Sequence, residues 1–149
     1  MELSVFVEIK KPIEDVWKAI IDFKNCSNYI ESIVKLEIID EPKDTLIGFK
    51  WKETRVMFGK EAVETMWITD YDENEYYQTR AESHGSIYKS RISIEHVGEN
   101  TKLTMSFTAE AQTFFVKVFS KCMGFMIKGS MKKALIKDLN DIKTHLESK

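Results

Sequence analysis

IGFKWKETRVMFGKEAVETMWITDYDENEYYQTRAESHGSIYKSRISIEHVGENTKLTMSFTAEA, residues 47–111, is the stretch that decides the fold. Apolar and polar side chains alternate along it, and four short clusters punctuate it: Phe58-Gly59, Glu73-Asn74, His84-Gly85 and Glu99-Asn100. Read as two-residue hairpin turns, these clusters divide the stretch into five antiparallel strands. Met57 then pairs with Lys60, Asp72 with Glu75, Ser83 with Ser86 and Gly98 with Thr101. Side chains alternate with period two, so the pairings decide which residues share a face. One face collects Phe49, Trp51, Glu53, Arg55 and Met57, then Ala62, Glu64, Met66 and Ile68. It continues through Tyr77, Thr79, Ala81 and Ser83, then Tyr88, Ser90, Ile92 and Ile94, and ends with Leu103, Met105, Phe107 and Ala109. The other face takes Lys50, Lys52, Glu61, Arg80, Glu82, Lys89, Arg91 and Glu95. Four separately placed turns thus agree on one apolar and one solvated face.

The flanks say what covers the apolar face. Leu3, Val5, Val7 and Ile9 alternate with Ser4, Phe6 and Glu8, as in a first strand. Pro12 suits the first turn of a helix, where Ile13, Val16, Trp17, Ile20 and Ile21 follow at helical spacing. Residues 25–30 suit a second short helix, and the β-branched run 32–39 a second strand. Residues 113–146 contain no proline and read as a long helix. Met131, Leu135, Leu139, Ile142 and Leu146 form its apolar stripe, whereas Phe114 to Ile127 is apolar nearly all round. Gly124 and Gly129 predict a bend or irregular turn between Ser120 and Ser130. The architecture expected is α+β: a seven-stranded antiparallel sheet with a long C-terminal helix over its inner face. It is a container with a lid.

Bulk properties narrow the function classes. The 149 residues are expected to form a single domain, 1–149, burying roughly 68–70% of its unfolded surface. Hydrophobic content of 43% and charged content of 31% are ordinary for a globular protein. A net charge of −2 argues against a general nucleic-acid binder, which needs a basic surface. Cys26 and Cys122 lie in apolar contexts outside any CxxC, as buried thiols in a reducing compartment do. Without a signal-like start or an apolar run near 20 residues, the cytoplasm is the expected location. His84, His96 and His145 have no ligand-like spacing, so no metal is expected. Neither a nucleophile elbow nor a dinucleotide fingerprint occurs, and no cofactor is expected.

Several residues carry a family resemblance: Lys11-Pro12-Ile13-Glu14-Asp15-Val16-Trp17, Asp22-Phe23, Gly48 with Trp51, Phe58-Gly59-Lys60-Glu61, and Thr101-Lys102-Leu103-Thr104. In this order and spacing, over essentially the whole chain, they resemble the START-like (SRPBCC) superfamily, nearest its polyketide cyclase/dehydrase-like bacterial branch. The resemblance implies a helix-grip fold, with the sheet curled around the last helix and a deep hydrophobic cavity between them. It also implies a ligand such as a lipid, a quinone or an aromatic metabolite. The superfamily has no universal catalytic residue, so the fold by itself assigns no reaction.

The charged residues on the inner face are Glu53, Arg55 and Glu64, with Glu53 opposite Glu64 and Arg55 diagonal to it. Such a cluster is expected to be paired, because an unpaired buried charge is costly. It reads as a structural ion pair, an anchor for a ligand's polar end, or the acid/base group of a cyclase or dehydratase. Around it, Trp51, Met66, Tyr77, Thr79, Tyr88 and Ser90 are expected to line the cavity. Ile92, Met105 and Phe107 continue the wall, and Ser120, Met123, Gly124 and Ile127 face it from the helix. Phe114, Phe115, Phe119, Phe125 and Met126 are expected to gate the mouth. Residues 113–149 carry eight lysines and three acids, +5 against −7 for the rest, so the helix is also a candidate for transient contact with an anionic membrane. Binding or transport of a hydrophobic small molecule is the leading expectation. An enzyme built on Glu53, Arg55 and Glu64 is the first alternative, and a chaperone- or ribosome-linked partner module the second.

Overall fold

A computed structural model describes the chain except residues 1, 58, 84, 85, 112 and 113, and the side chains of 57, 83, 111 and 114–127. The elements are β1 (Glu2–Ile9), α1 (Ile13–Ile20), a 3-10 turn (Cys26–Asn28), β2 (Ile33–Asp40), β3 (Lys50–Met57), β4 (Lys60–Asp72), β5 (Tyr76–Ser83), β6 (Ser86–Val97), β7 (Asn100–Ala111) and α2 (Phe114–Glu147). All seven strands form one antiparallel sheet in the order β1-β7-β6-β5-β4-β3-β2. The short helix after β1 and the long final helix stand where the hydrophobic pattern puts them. The second short helix shrinks to the 3-10 turn.

Two turns keep the expected register: Met57 pairs with Lys60 and Ser83 with Ser86. The other two differ locally. Between β4 and β5 the loop is three residues long, with Asp72 paired to Tyr76. Asn74 sits in it at φ 63°, and Glu75 N–H donates to Asp72 O at 3.0 Å. A bulge between Ile68 and Asp70 absorbs the extra residue, so Ile68 still faces Thr79 and Met66 faces Ala81. Between β6 and β7 the turn is Gly98-Glu99 rather than Glu99-Asn100, with Val97 paired to Asn100. Gly98 takes φ 61° as the first loop residue, a position that favours glycine. The register moves by two residues there, and a shift of two leaves every side chain on its expected face.

The apolar faces meet as one core. Leu3, Val5 and Ile9 of β1, Ile13, Val16, Trp17 and Ile20 of α1, and Leu135, Leu139, Ile142 and Leu146 of α2 are buried together with inner-face strand residues. The helix α2 starts beside Ala111 at one end of the sheet. At the other end Lys143 Nζ donates to Glu8 O, and Lys10 N–H donates to Glu147 Oε2 at 2.8 Å. It therefore spans the inner face lengthwise, packed on β1 and β7. It is assigned as helix throughout Phe114–Glu147, and most of the stretch Ser120–Ser130, where a bend or irregular turn is expected, has side chains outside the described residues. Gly129 is exposed and is accommodated within the helix.

Candidate ligand site

The inner face is not covered evenly. At the end closed by α1 and the last turns of α2 it is sealed: Ile9, Ile68, Thr101, Leu103 and Leu139 are fully buried. Trp51 and Tyr77 belong to this end. Phe23 stacks on Trp51 at 4.4 Å between centroids and meets Tyr77 edge-on at 5.6 Å. Thr79 and Ile92 are buried beside them. Toward the other end coverage of the same face is mixed: Met66, Tyr88, Ser90, Met105 and Phe107 are half-buried, whereas Leu3, Val5, Ala81 and Ser86 are buried. Tyr88 stacks on Phe107 there at 5.9 Å. The first half of α2 begins at this end. The expected gate Phe114, Phe115, Phe119, Phe125 and Met126, and the expected helix wall Ser120, Met123, Gly124 and Ile127, have side chains outside the described residues.

On β3, the strand beside Met66, stands a charged group. On β3, Trp51 and Glu53 are buried and Arg55 is half-buried. Arg55 Nε donates to Glu53 Oε2 at 2.9 Å, and Arg55 Nη2 donates to Asp138 Oδ2 at 2.8 Å. Trp51 Nε1 donates to Glu53 Oε1 at 3.5 Å. Glu64 lies opposite Glu53 in the register, as expected, and is half-buried. The carboxylate that reaches Arg55 from across the interior is Asp138 of α2, which the strand pattern alone does not reveal. A signal was present in the sequence. Asp138 is three residues after Leu135 and four before Ile142, so it interrupts the inward helix stripe opposite an inward arginine.

Burial sets the electrostatics. Desolvation raises the Asp138 pKa above its ordinary value, and Arg55 only partly opposes this. Burial alone would lower the Arg55 pKa, but Glu53 and Asp138 outweigh it and hold the guanidinium charged. The Cys26 thiol is pushed up to about 12, chiefly by burial and then by the Glu53 and Asp22 charges. It is a buried thiol and no nucleophile near neutral pH. Cys122 falls outside the described side chains. Among the described residues, no three His, Cys, Asp or Glu side chains are grouped to hold a metal.

A separate cleft of about 520 Å³ opens on the outside of the closed end, lined by Lys11, Asp15, Lys18, Tyr29 and His145 among others. It is far more polar than the interior, and no sequence pattern anticipates it. No described helix is long and apolar enough to cross a membrane.

A family model described as polyketide cyclase / dehydrase and lipid transport matches residues 1–147. Among curated proteins none matches the sequence significantly. Solved structures resemble the whole chain. A Thermus thermophilus protein superposes with a TM-score of 0.83 at 15% identity, covering 99% of this chain and 98% of its own. A START superfamily protein of Mycobacterium smegmatis gives 0.83 at 18% identity, covering 99% and 97%. A Streptomyces aromatase/cyclase gives 0.77 at 14% identity, covering 99% and 93%. At these identities the likeness is one of fold.

Proposed function

Since the chain belongs to the polyketide cyclase/dehydrase and lipid transport family, we propose that it binds a hydrophobic small molecule between the inner sheet face and α2. The observation that carries this reading is the uneven coverage of one apolar face. A core built only for stability buries such a face evenly. Here Met66, Tyr88, Ser90, Met105 and Phe107 stay half-buried while their neighbours on the same strands are sealed. Apolar walls with a few hydroxyls and one charged cluster are the usual lining of a small-molecule site.

Binding is better supported than catalysis. A general acid or base needs a carboxyl group free to exchange a proton with a substrate. Glu53, one of the expected catalytic carboxylates, has both oxygens engaged, Oε2 by Arg55 and Oε1 by Trp51. The test is native mass spectrometry on gently purified protein, followed by organic extraction. A discrete added mass in the lipid, quinone or aromatic-metabolite range is the expected result. A protein that neither arrives with such a mass nor takes up any amphiphile offered to it ends this reading.

A further inference from the structure

Among the described buried side chains, Oδ1 of Asp138 is left without a hydrogen-bond partner. Native folds hold few such atoms, because an acceptor removed from water and left unbonded keeps its full desolvation cost. Asp138 is 3% exposed, and its other oxygen is taken by Arg55. The described charges that bond one another here do not balance either. Glu53 and Asp138 both bond the one guanidinium of Arg55, two negatives against one positive. Asp141, one helical turn on, adds to the negative field at Asp138.

An unbonded acceptor on one of two carboxylates that share a single described cation asks for a hydrogen-bond donor. We infer that the polar end of the bound molecule is an ammonium or hydroxyl group that donates to Asp138 Oδ1. This rests on the cavity reading above and specifies its ligand. The position suits it: half-buried Met66 and Glu64 on β4 stand opposite Trp51 and Glu53 on β3, so a molecule lying along that part of the wall ends beside the carboxylate that Arg55 shares with Asp138. A carboxylate there meets Glu53 and Asp138 with Arg55 already engaged by both, and is selected against. The raised proton affinity of Asp138, set chiefly by burial, agrees with a carboxylate that favours a hydrogen-bond donor.

The test uses the full chain and three probes with one tail: decylammonium, decanol and decanoate. Binding is followed by tryptophan fluorescence and by retention in native mass spectra. Decylammonium and decanol are expected to bind about tenfold or more tighter than decanoate. Asp138→Asn is expected to abolish that preference while tail binding persists. Asp138→Leu, which leaves Glu53 and Arg55 as a balanced pair, provides a second variant. Equal affinity for the three probes, tighter decanoate, or a preference unchanged in Asp138→Asn overturns the inference and leaves the cavity reading standing. Failure of all three to bind overturns the cavity reading and the inference with it.

Discussion

Arg55 Nη2 donates to Asp138 Oδ2 at 2.8 Å across 83 residues of sequence, and this bond ties the covering helix α2 to strand β3. The same guanidinium holds Glu53 on its own strand. Removing it leaves two carboxylates in the interior without their cation. Arg55→Met is therefore expected to cost about 3–5 kcal/mol, the range for breaking a buried pair from one side. Urea unfolding of the two proteins measures it. A loss under about 1 kcal/mol, as for an exposed pair, contradicts the placement.

The pH dependence of that cluster has a definite sign. Burial raises the native pKa of Asp138 above 3.8, the ordinary value that the unfolded chain approaches. Between those two values the native state holds more protons than the unfolded state, so this residue's contribution to stability falls as pH rises. The contribution is greatest below 3.8 and is lost as pH passes the raised native value. Asp138→Asn removes this dependence. The stability of the native sequence minus that of the variant should decline through the window, as measured by urea midpoints at stepped pH. A rising difference reverses the assignment.

How much of this was legible in the sequence follows from how local each signal is. Strand faces survived two misplaced turns: the register change of two between β6 and β7 preserves them, and the bulge before Asp70 restores the pairing of β4 with β5. The charged strand residues Glu53 and Arg55 stood out because they break an apolar alternation. Asp138 did not, because charged residues are common on helices, and its inward position matters only once Arg55 faces it. Phe23 closes the sealed end by stacking on Trp51 from outside any regular element, which no periodicity announces.

Two glycines should respond oppositely to the same substitution. Gly98 has φ 61° with nothing within 4 Å of an added Cβ, so Gly98→Ala carries only a backbone penalty of about 1–2 kcal/mol. Gly129 lies within α2, also with nothing near an added Cβ, so Gly129→Ala is expected to stabilise by about 1 kcal/mol. Thermal melts of both variants decide the matter. Destabilisation by Gly129→Ala would mean that the helix needs the freedom of glycine there.

Cys26 should resist modification. Its thiol is buried and titrates at about 12, so little thiolate exists at pH near neutral. Iodoacetamide followed by peptide mapping should leave Cys26 unlabelled in the native protein and label it in urea. Rapid native labelling at this position contradicts the packing of the 3-10 turn against Glu53 and Phe23.

The uneven coverage of the inner face predicts opposite responses on one strand. Ser90 is half-buried and pairs with Phe107, whereas Ile92 is buried and pairs with Met105. Ile92→Trp forces volume into a sealed region and is expected to cost about 1–3 kcal/mol or more. Ser90→Trp places the same ring on the half-buried wall, which the cavity reading leaves open to a ligand. It is expected to change stability by less than about 1 kcal/mol and to reduce amphiphile uptake several-fold. Urea unfolding and native mass spectrometry with decanol separate the two effects. If Ser90→Trp is as destabilising as Ile92→Trp, the wall is packed at both ends and holds no ligand-sized space.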